Sequence, residues 1–294
     1  MRSSQTKLFA FPESARFARQ IGRAMHVRVA PIRVHRFPDR ETLIRVGSPA
    51  PARAVIVRSL DDPNSKLVEV LLAADALRRA GASSVELVAP YMPYMRQDKA
   101  FAPGEPVSQR VIASILGRNF DAVFTMEPHL HRIRSLTEVF PTRAVSVSAA
   151  PAIASWVKGR GAGTLVAGPD EESTRWVKAI ARQAEASWVV GKKRRLGDRD
   201  VRIHFGTLPA AMRAVVVDDI ASSGATMAAA IRALRSAGIK QVEAVVVHAI
   251  FAPGALTMIR RAGARRVVSC DTVAHPTNAI RVAGLFAAAL KPTR

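Results

Sequence analysis

Short apolar runs rich in β-branched residues recur along the chain, and segments with helical periodicity lie between them. Apolar side chains at i, i+3, i+4 and i+7 occur in 67–74 and again in 227–234, which indicates amphipathic helices. This alternation is typical of parallel sheets whose strands are joined by crossover helices, so we predict an α/β fold. The apolar runs that predict strands lie at 54–57, 85–88, 122–124, 164–166, 214–217, 242–247 and 267–268.

Two stretches of the chain match each other in order. Residues 53–57 (RAVIV) match 213–217 (RAVVV), and 76–81 (ALRRAG) match 233–238 (ALRSAG). Coincidence among Ala, Val and Arg is the alternative explanation, but the match extends over a whole βαβ unit. We therefore expect two similar domains related by internal duplication, covering 1–146 and 147–294, each with a mostly parallel sheet flanked by helices.

Composition narrows the class of protein. The 294 residues are 49% hydrophobic and 23% charged, which is ordinary for a globular chain of about two domains. The one cysteine, Cys270, cannot form an intramolecular disulfide, so we expect a reducing, cytoplasmic compartment. The most apolar stretch, 244–259, is too short to span a bilayer and contains a histidine and a proline, so no membrane segment is expected.

The charge of the chain is strongly positive. Lys and Arg number 44 against 23 Asp and Glu, a formal net charge of +21, which favours anionic and phosphorylated partners or is simply a solvated basic surface. Nucleic acid is an unlikely partner because aromatic residues are only 5% and the cations are scattered, apart from one dense run at 192–195.

The sharpest motif is VVVDDIASSGAT at 215–226, which helical periodicity follows. An apolar strand delivers Asp218 and Asp219 to its carboxyl end, where open α/β sheets bind ligands. The small residues after them can present backbone N–H groups and hydroxyls to a phosphate dianion at a helix N-terminus. Two carboxylates that accept from vicinal hydroxyls, followed by a phosphate loop, predict a site for a phosphorylated sugar; the alternative is a capped helix after a buried strand. The predicted loop residues are Ser222, Ser223, Gly224, Ala225 and Thr226.

This motif resembles the phosphoribosyl-diphosphate loop of type I phosphoribosyltransferases and of ribose-phosphate pyrophosphokinases. FPDRE at 37–41 and PYMPYMRQDK at 90–99 resemble two pyrophosphokinase segments that the transferases lack. The similarity runs in order over nearly the whole chain. Many members carry Asp at the position of Ser222, and the serine here resembles the pattern of the archaeal branch of the family. Further matching segments are EPH at 127–129, GPDEE at 168–172, KRR at 193–195, and 271–280.

The resemblance implies two phosphoribosyltransferase-like domains and transfer of the diphosphoryl group of ATP to the anomeric hydroxyl of ribose 5-phosphate. It also implies a homo-oligomer, a dimer or a hexamer, in which a neighbouring subunit completes the ATP site. The implied ATP-binding residues are Phe37, Asp39, Glu41, Arg96 and Gln97.

The same resemblance assigns the metal and catalytic residues. His129 and Asp170 match the positions that the family links to Mg²⁺, and a sparse pair suits an ion that keeps several waters. Lys193 and Arg195 match its catalytic Lys-x-Arg loop, where cations would offset charge that grows on the transferred group. Taken alone, a strand-end histidine is more often structural, and adjacent cations are more often a solvated face.

Besides Ser222, four positions depart from the family pattern, and those at Arg40, Glu127 and Glu171 raise the question of lowered activity. Arg40 replaces a glycine of the ATP segment and Glu127 replaces an aspartate before His129. Glu171 and Glu172 stand where many members have alanine and glycine, so this loop loses a glycine's freedom. Two alternatives remain: a phosphoribosyltransferase that consumes the same product, and a non-catalytic regulatory or nucleic-acid-binding homologue.

Overall fold

The structure is a computed structural model that describes residues 6–47, 49–195 and 201–291, with only the backbone given for Arg195 and Val201. The chain divides into two compact units. The first comprises the described residues up to Val147 together with those from Ala283 onward, and the second is Ser148–Val282. Our sequence-based second domain ran to residue 294, whereas the contacts place its last segment with the first unit. Among the described helices, none has both the length and the apolar character that a membrane span requires.

The first unit is built on a six-stranded parallel sheet. Its strand order is β2-β1-β5-β6-β7-β8, and β3 and β4 form a separate antiparallel hairpin. The elements are β1 (Thr6–Ala10), α1 (Ala15–Met25), β2 (Val29–Pro31), β3 (Arg33–Arg36), β4 (Thr42–Arg45), β5 (Arg53–Val57), α2 (Pro63–Arg79), β6 (Ser84–Ala89), α3 (Ser108–Asn119), β7 (Ala122–Met126) and β8 (Arg143–Val147).

The core of this unit explains why its central strands are continuously apolar. The strands β5, β6 and β7 are buried on both faces because helices cover the sheet. Phe9, Ile56 and Leu87 of the sheet belong to one buried cluster with Leu77 of α2 and Leu116 of α3. Each such side chain contributes roughly 1.5–3 kcal/mol on leaving water.

The second unit repeats this plan. Its parallel sheet has the order β10-β9-β13-β14-β15-β16, and β11 pairs with β12 in an antiparallel hairpin. The elements are α4 (Ala150–Lys158), β9 (Thr164–Gly168), α5 (Thr174–Ala184), β10 (Ser187–Val190), β11 (Lys192–Arg195), β12 (Val201–His204), β13 (Arg213–Ile220), α6 (Ala225–Ser236), β14 (Gln241–His248), α7 (Ala255–Arg261), β15 (Ala264–Cys270) and β16 (Asn278–Ile280).

The two sheets have equivalent strand orders, as expected for a duplicated fold, so the predicted class is confirmed. In both sheets the second strand in sequence order lies at one edge, next to the first strand. The later strands follow in sequence order on the other side of the first strand. All seven strands that the apolar runs predicted are present. The seven runs did not include β1 or the short edge strands β2, β8, β10 and β16.

The last helix, α8 (Ala283–Ala289), belongs to the first unit. The ring of Phe286 meets the ring of Phe17 on α1 edge to face, with centroids 5.7 Å apart. Arg53 at the start of β5 donates from Nη2 to the carbonyl oxygen of Leu290 at 3.0 Å. The chain thus leaves the first unit after β8 and returns to it after β16.

Candidate active site

The two predicted aspartates of the second unit lie near the carboxyl end of β13. β13 continues through both of them to Ile220, three residues beyond the apolar run that predicted it. The amide of Asp219 donates to Oδ1 of Asp218 at 3.0 Å, and the amide of Ile220 donates to Oδ1 of Asp219 at 2.7 Å. Both carboxylates are therefore tied to the backbone at the carboxyl edge of the sheet.

The small-residue loop after these aspartates leads into α6. Gly224 is the residue before the helix and has φ +79°, in the left-handed region. A Cβ atom at this position would also lie 3.0 Å from the carbonyl oxygen of Ala255, so both conformation and space favour glycine. Ser223 accepts from the Ala225 amide at 3.4 Å, and the Ser222 carbonyl accepts from the Ala252 amide at 2.9 Å. The loop is thereby held with the N-terminus of α6 at its end.

A cation from the hairpin approaches this edge of the sheet. Lys193 Nζ lies 2.9 Å from Asp170 Oδ2, and both side chains are more than four-fifths covered. Asp170 follows β9, and β9 is the neighbour of β13. The structure thus brings together Asp170, Lys193 and the aspartates of β13, which come from three separate segments.

The electrostatics of Asp218 reflect this crowding. Burial raises the pKa of Asp218 well above its ordinary value, and the negative charges of Asp219 and Asp170 raise it further. The hydrogen bond from the Asp219 amide and the positive charge of Lys193 lower it only in part. The site therefore has an excess of negative charge that a bound cation or a hydroxyl-rich ligand would relieve.

The donor set of this edge fits a hard divalent cation. Mg²⁺ prefers oxygen ligands and commonly takes one or two carboxylates from the protein, with waters and substrate phosphates as the rest. Asp170 offers such a carboxylate beside the carboxylates of Asp218 and Asp219 on β13. No cluster of three or more His, Cys, Asp or Glu with ligating geometry occurs in the described residues.

Part of the predicted catalytic loop lies outside the described residues. Arg195 is the last residue of β11, opposite Val201 of β12, and only its backbone is described. The segment GDRD at 197–200, which follows the basic run, lies outside the described residues altogether. Lys193 pairs with Ile203 in the described part of that hairpin.

Three predicted ATP-binding residues lie at the tip of the β3–β4 hairpin in the first unit. The amide of Phe37 donates to the Glu41 carbonyl at 2.9 Å, and Asp39 Oδ1 accepts from the Glu41 amide at 3.0 Å. The Phe37 ring is 41% exposed and meets the His35 ring edge to face, with centroids 4.7 Å apart. An ordered turn thus presents two carboxylates and an open aromatic face, which is suited to stacking on a purine.

Arg40 closes this turn in a conformation that favours glycine. Its φ is +75°, and its amide donates to the Phe37 carbonyl at 2.9 Å. The family's glycine at this position therefore has a physical reason, and an arginine there is held at a cost of about 1–3 kcal/mol.

The hairpin is anchored by buried charges that sequence reasoning missed. Glu69 on α2 is 1% exposed, and its carboxylate binds Arg36 Nη2 at 3.3 Å and Arg58 Nη2 at 2.5 Å. Arg58 also binds Glu13 at 2.7 Å and lies over the Phe11 ring. Arg36 is the last residue of β3, so this network connects the base of the hairpin to the core. The available signal was the acidic side chain of Glu69 within an apolar helical pattern.

The other predicted ATP and metal residues of the first unit lie on two adjoining loops. Gln97 accepts from the hydroxyl of Ser108 at the start of α3, while the Arg96 side chain is exposed. His129 follows β7, and its ring stacks at 6.5 Å on that of His131.

Asp98 joins these two loops and was not singled out from the sequence. Its side chain is only 5% exposed and lies 3.6 Å from His131 Nδ1 and 3.5 Å from Arg132 Nε. The loop after β6 and the loop after β7 are thereby linked beside His129. Its place directly after the matched Arg96 and Gln97 was the signal that could have identified it.

Comparisons with known proteins cover both units of the chain. A family model described as the N-terminal domain of ribose phosphate pyrophosphokinase matches residues 6–119, and the phosphoribosyl transferase domain matches 146–283. Ribose-phosphate pyrophosphokinases of Methanopyrus kandleri and Halobacterium salinarum are each 34% identical to this chain; they align over 97% and 96% of it and over 98% and 100% of their own lengths.

A solved structure agrees at the level of the fold. Phosphoribosylpyrophosphate synthetase from Mycobacterium smegmatis superposes with a TM-score of 0.83 at 23% identity, covering 97% of each chain. The archaeal relatives share identity over nearly the full length, and both halves match their family models in the expected order. This chain belongs to the ribose-phosphate pyrophosphokinase family.

Proposed function

We propose that this chain transfers the diphosphoryl group of ATP to ribose 5-phosphate, giving 5-phosphoribosyl 1-diphosphate and AMP. The anomeric hydroxyl oxygen attacks the β-phosphorus, the bond from that phosphorus to the α–β bridging oxygen breaks, and AMP leaves with the bridging oxygen. The observation that carries the proposal is the contact between Lys193 and Asp170 beside the aspartates of β13. In this proposal, the sugar hydroxyl and the diphosphate would meet beside these opposite charges.

The carboxyl edge of the second sheet would hold the sugar. Asp218 and Asp219 would accept hydrogen bonds from the vicinal ribose hydroxyls, and binding would relieve the repulsion between them. The backbone amides and hydroxyls of 222–226 would hold the 5-phosphate at the N-terminus of α6. Fixing the sugar in this way would orient its anomeric hydroxyl for attack. The reaction would need no covalent enzyme intermediate.

The first unit would hold the nucleotide. Phe37 would stack on adenine, Asp39 and Glu41 would accept from its polar edge or the ribose, and Arg96 and Gln97 would contact phosphate and base. We also propose that the protein is a cytoplasmic homo-oligomer, a dimer or a hexamer, in which a neighbouring subunit completes the nucleotide site.

Charge stabilisation would come from a cation and from the β11–β12 hairpin. Asp170 in the second unit and His129 in the first are the residues proposed to hold Mg²⁺, which would neutralise charge on the phosphate oxygens of ATP. Lys193 would then leave Asp170 and contact the transferred group, and Arg195 would contact it from the same hairpin. A fixed cation aimed at developing charge acts most strongly where water is excluded.

A direct assay tests this reaction against the alternatives. AMP release is followed with ATP, in the presence and absence of ribose 5-phosphate and Mg²⁺. Release that needs both additions, with formation of the 1-diphosphate sugar, is the expected result. Turnover of a nucleobase with phosphoribosyl diphosphate instead, or salt-sensitive polynucleotide binding without AMP release, would replace the proposal.

Lys193→Ala should lower kcat by about 10²–10³-fold, because one preorganised donor to developing charge is lost. Its matched control is Lys192→Ala: Lys192 is exposed, and neighbouring side chains of a strand point to opposite faces. The control should keep kcat and the melting temperature, and Lys193→Ala should stay folded with a lower melting temperature, because Asp170 loses its cation. Near-normal AMP formation by Lys193→Ala would remove the role assigned to this residue.

A further inference from the structure

A basic groove lies at the amino edge of the second sheet, opposite the edge that carries the aspartates. Its volume is about 420 Å³, within the range of small-molecule sites. The groove forms here because parallel strands begin at a common edge: Arg213 of β13 pairs with Thr164 of β9 and Gln241 of β14, and Glu243 of β14 pairs with Arg266 of β15. Arg213 is five residues before Asp218 on β13, so roughly 16 Å of strand separates the groove from the sugar site.

The lining has a large excess of positive charge. Four guanidinium groups, those of Arg160, Arg213, Arg265 and Arg266, surround the single carboxylate of Glu243. Like charges that converge on one groove repel one another, and a bound anion would remove that repulsion.

Two of the four arginines are already held in place. Arg160 lies over the Trp156 ring at 3.9 Å from its centroid, and its Nε is 3.2 Å from Oε2 of Glu243. Arg213 donates from Nη1 to the Arg160 carbonyl at 2.6 Å. Glu243 therefore orients one cation and leaves the others uncompensated, which is the preorganisation that an anion site requires.

The other two arginines are available to a ligand. Arg265 and Arg266 are exposed and make no ion pair with any residue that the structure describes. Guanidinium groups bind phosphoryl oxygens through two parallel hydrogen bonds, so this pair could grip a phosphate without breaking an existing contact.

The charge of the groove selects the class of ligand. Arg213 and Arg266 lie on strands that flank β14, so the cations line both sides of the groove. Four arginines against one glutamate leave an excess of three positive charges, which a single phosphate dianion offsets only in part and a chain of two or three phosphoryl groups can offset fully. We propose that this groove binds a polyphosphate anion, either inorganic or as the phosphate tail of a nucleotide. The proposal does not depend on the activity argued above.

Calorimetric titration of the full chain with inorganic tripolyphosphate tests the site, and UTP serves as the nucleotide probe. Arg265→Gln/Arg266→Gln should weaken tripolyphosphate binding at least tenfold. Arg260→Gln/Arg261→Gln, on exposed positions at the end of α7 outside the groove, removes the same charge and should change binding less than twofold. Thermal melting confirms that both variants are folded.

The outcomes separate the site from general charge. Equal weakening by the two double variants, or no weakening by either, would overturn the proposal. Background binding at the loop 222–226 is common to all three proteins and does not affect the comparison. If UTP displaces tripolyphosphate from the groove, the site accepts nucleotide tails; if it does not, the site takes inorganic chains.

Discussion

Asp218 lies beside two other carboxylates and one ammonium group, and its behaviour follows from that setting. Burial and the charges of Asp219 and Asp170 raise its pKa, so the folded ligand-free protein holds the proton on Asp218 more strongly than the unfolded chain does. A buried acid with a raised pKa stabilises the fold fully only below its unfolded pKa, and that contribution is lost as the pH rises toward the folded pKa.

Asp218→Asn should therefore raise the melting temperature of the ligand-free protein at neutral pH. The gain over wild type should shrink as the pH falls toward about 4, because wild-type Asp218 then becomes neutral as well. Each kcal/mol of gain corresponds to about 2–4 °C. Melting curves between pH 4 and pH 8 measure this.

The same substitution should weaken ribose 5-phosphate binding more than tenfold while leaving ATP binding nearly unchanged. Asp75→Asn is the control, because Asp75 is exposed and its one ion pair among the described residues is with Arg79 on the same helix. If the melting temperature of Asp75→Asn depended on pH in the same way as that of Asp218→Asn, the assignment would be contradicted. A loss of affinity for both substrates in Asp218→Asn would contradict it as well.

The β3–β4 hairpin adopts a backbone conformation that its own sequence does not favour. It has only four residues in each strand, and Arg33 pairs directly with Arg45 across it, so two cations face each other. The tip depends on Arg40 in the left-handed region, while Glu69 holds the base through Arg36. We interpret the hairpin as a marginal element whose geometry is imposed by its turn and its anchor.

Arg40→Gly should stabilise the protein by about 1 kcal/mol, because glycine adopts a φ of +75° without the steric penalty. Arg40→Ala removes the same side-chain charge but keeps the penalty, so it is the matched control and should show no gain. Urea unfolding midpoints compare the three proteins. If both variants gain equally, charge rather than backbone conformation is the cause.

At the scale of the whole molecule, the chain makes two similar sheets and then returns to the first unit. The returning helix α8 buries Phe286 completely, and this ring packs on Phe17, which is itself 9% exposed. The first unit therefore depends on residues that follow the second unit in sequence.

Phe286→Ala should destabilise the first unit by about 3–5 kcal/mol, the usual cost of deleting a buried ring. Hydrogen exchange should show faster amide exchange in α1, with the strands of the second unit unchanged. Phe101→Ala, at a ring that is 64% exposed, is the control and should leave both patterns as they are. Unchanged exchange in α1 would show that the packing of α8 contributes little.

Features that depend on local periodicity could be predicted from the amino-acid sequence alone. The apolar runs predicted seven strands of the two sheets, the repeated βαβ unit predicted the duplicated sheet, and the acid pair before a small-residue loop predicted where the sheet presents polar groups. These features are readable because the alternation of a strand, the spacing of a helix and the left-handed preference of Gly224 are properties of neighbouring residues.

Contacts between residues that are distant in the sequence are visible only in the folded structure. The approach of Lys193 to Asp170, the burial of Glu69 between two arginines, and the convergence of Arg160 with Arg213 and Arg266 all join segments far apart in the chain. The return of α8 to the first unit is of the same kind. Such contacts depend on the order of strands in a sheet and on the path of loops, and the free energy that selects them comes from packing the whole core rather than from any one segment.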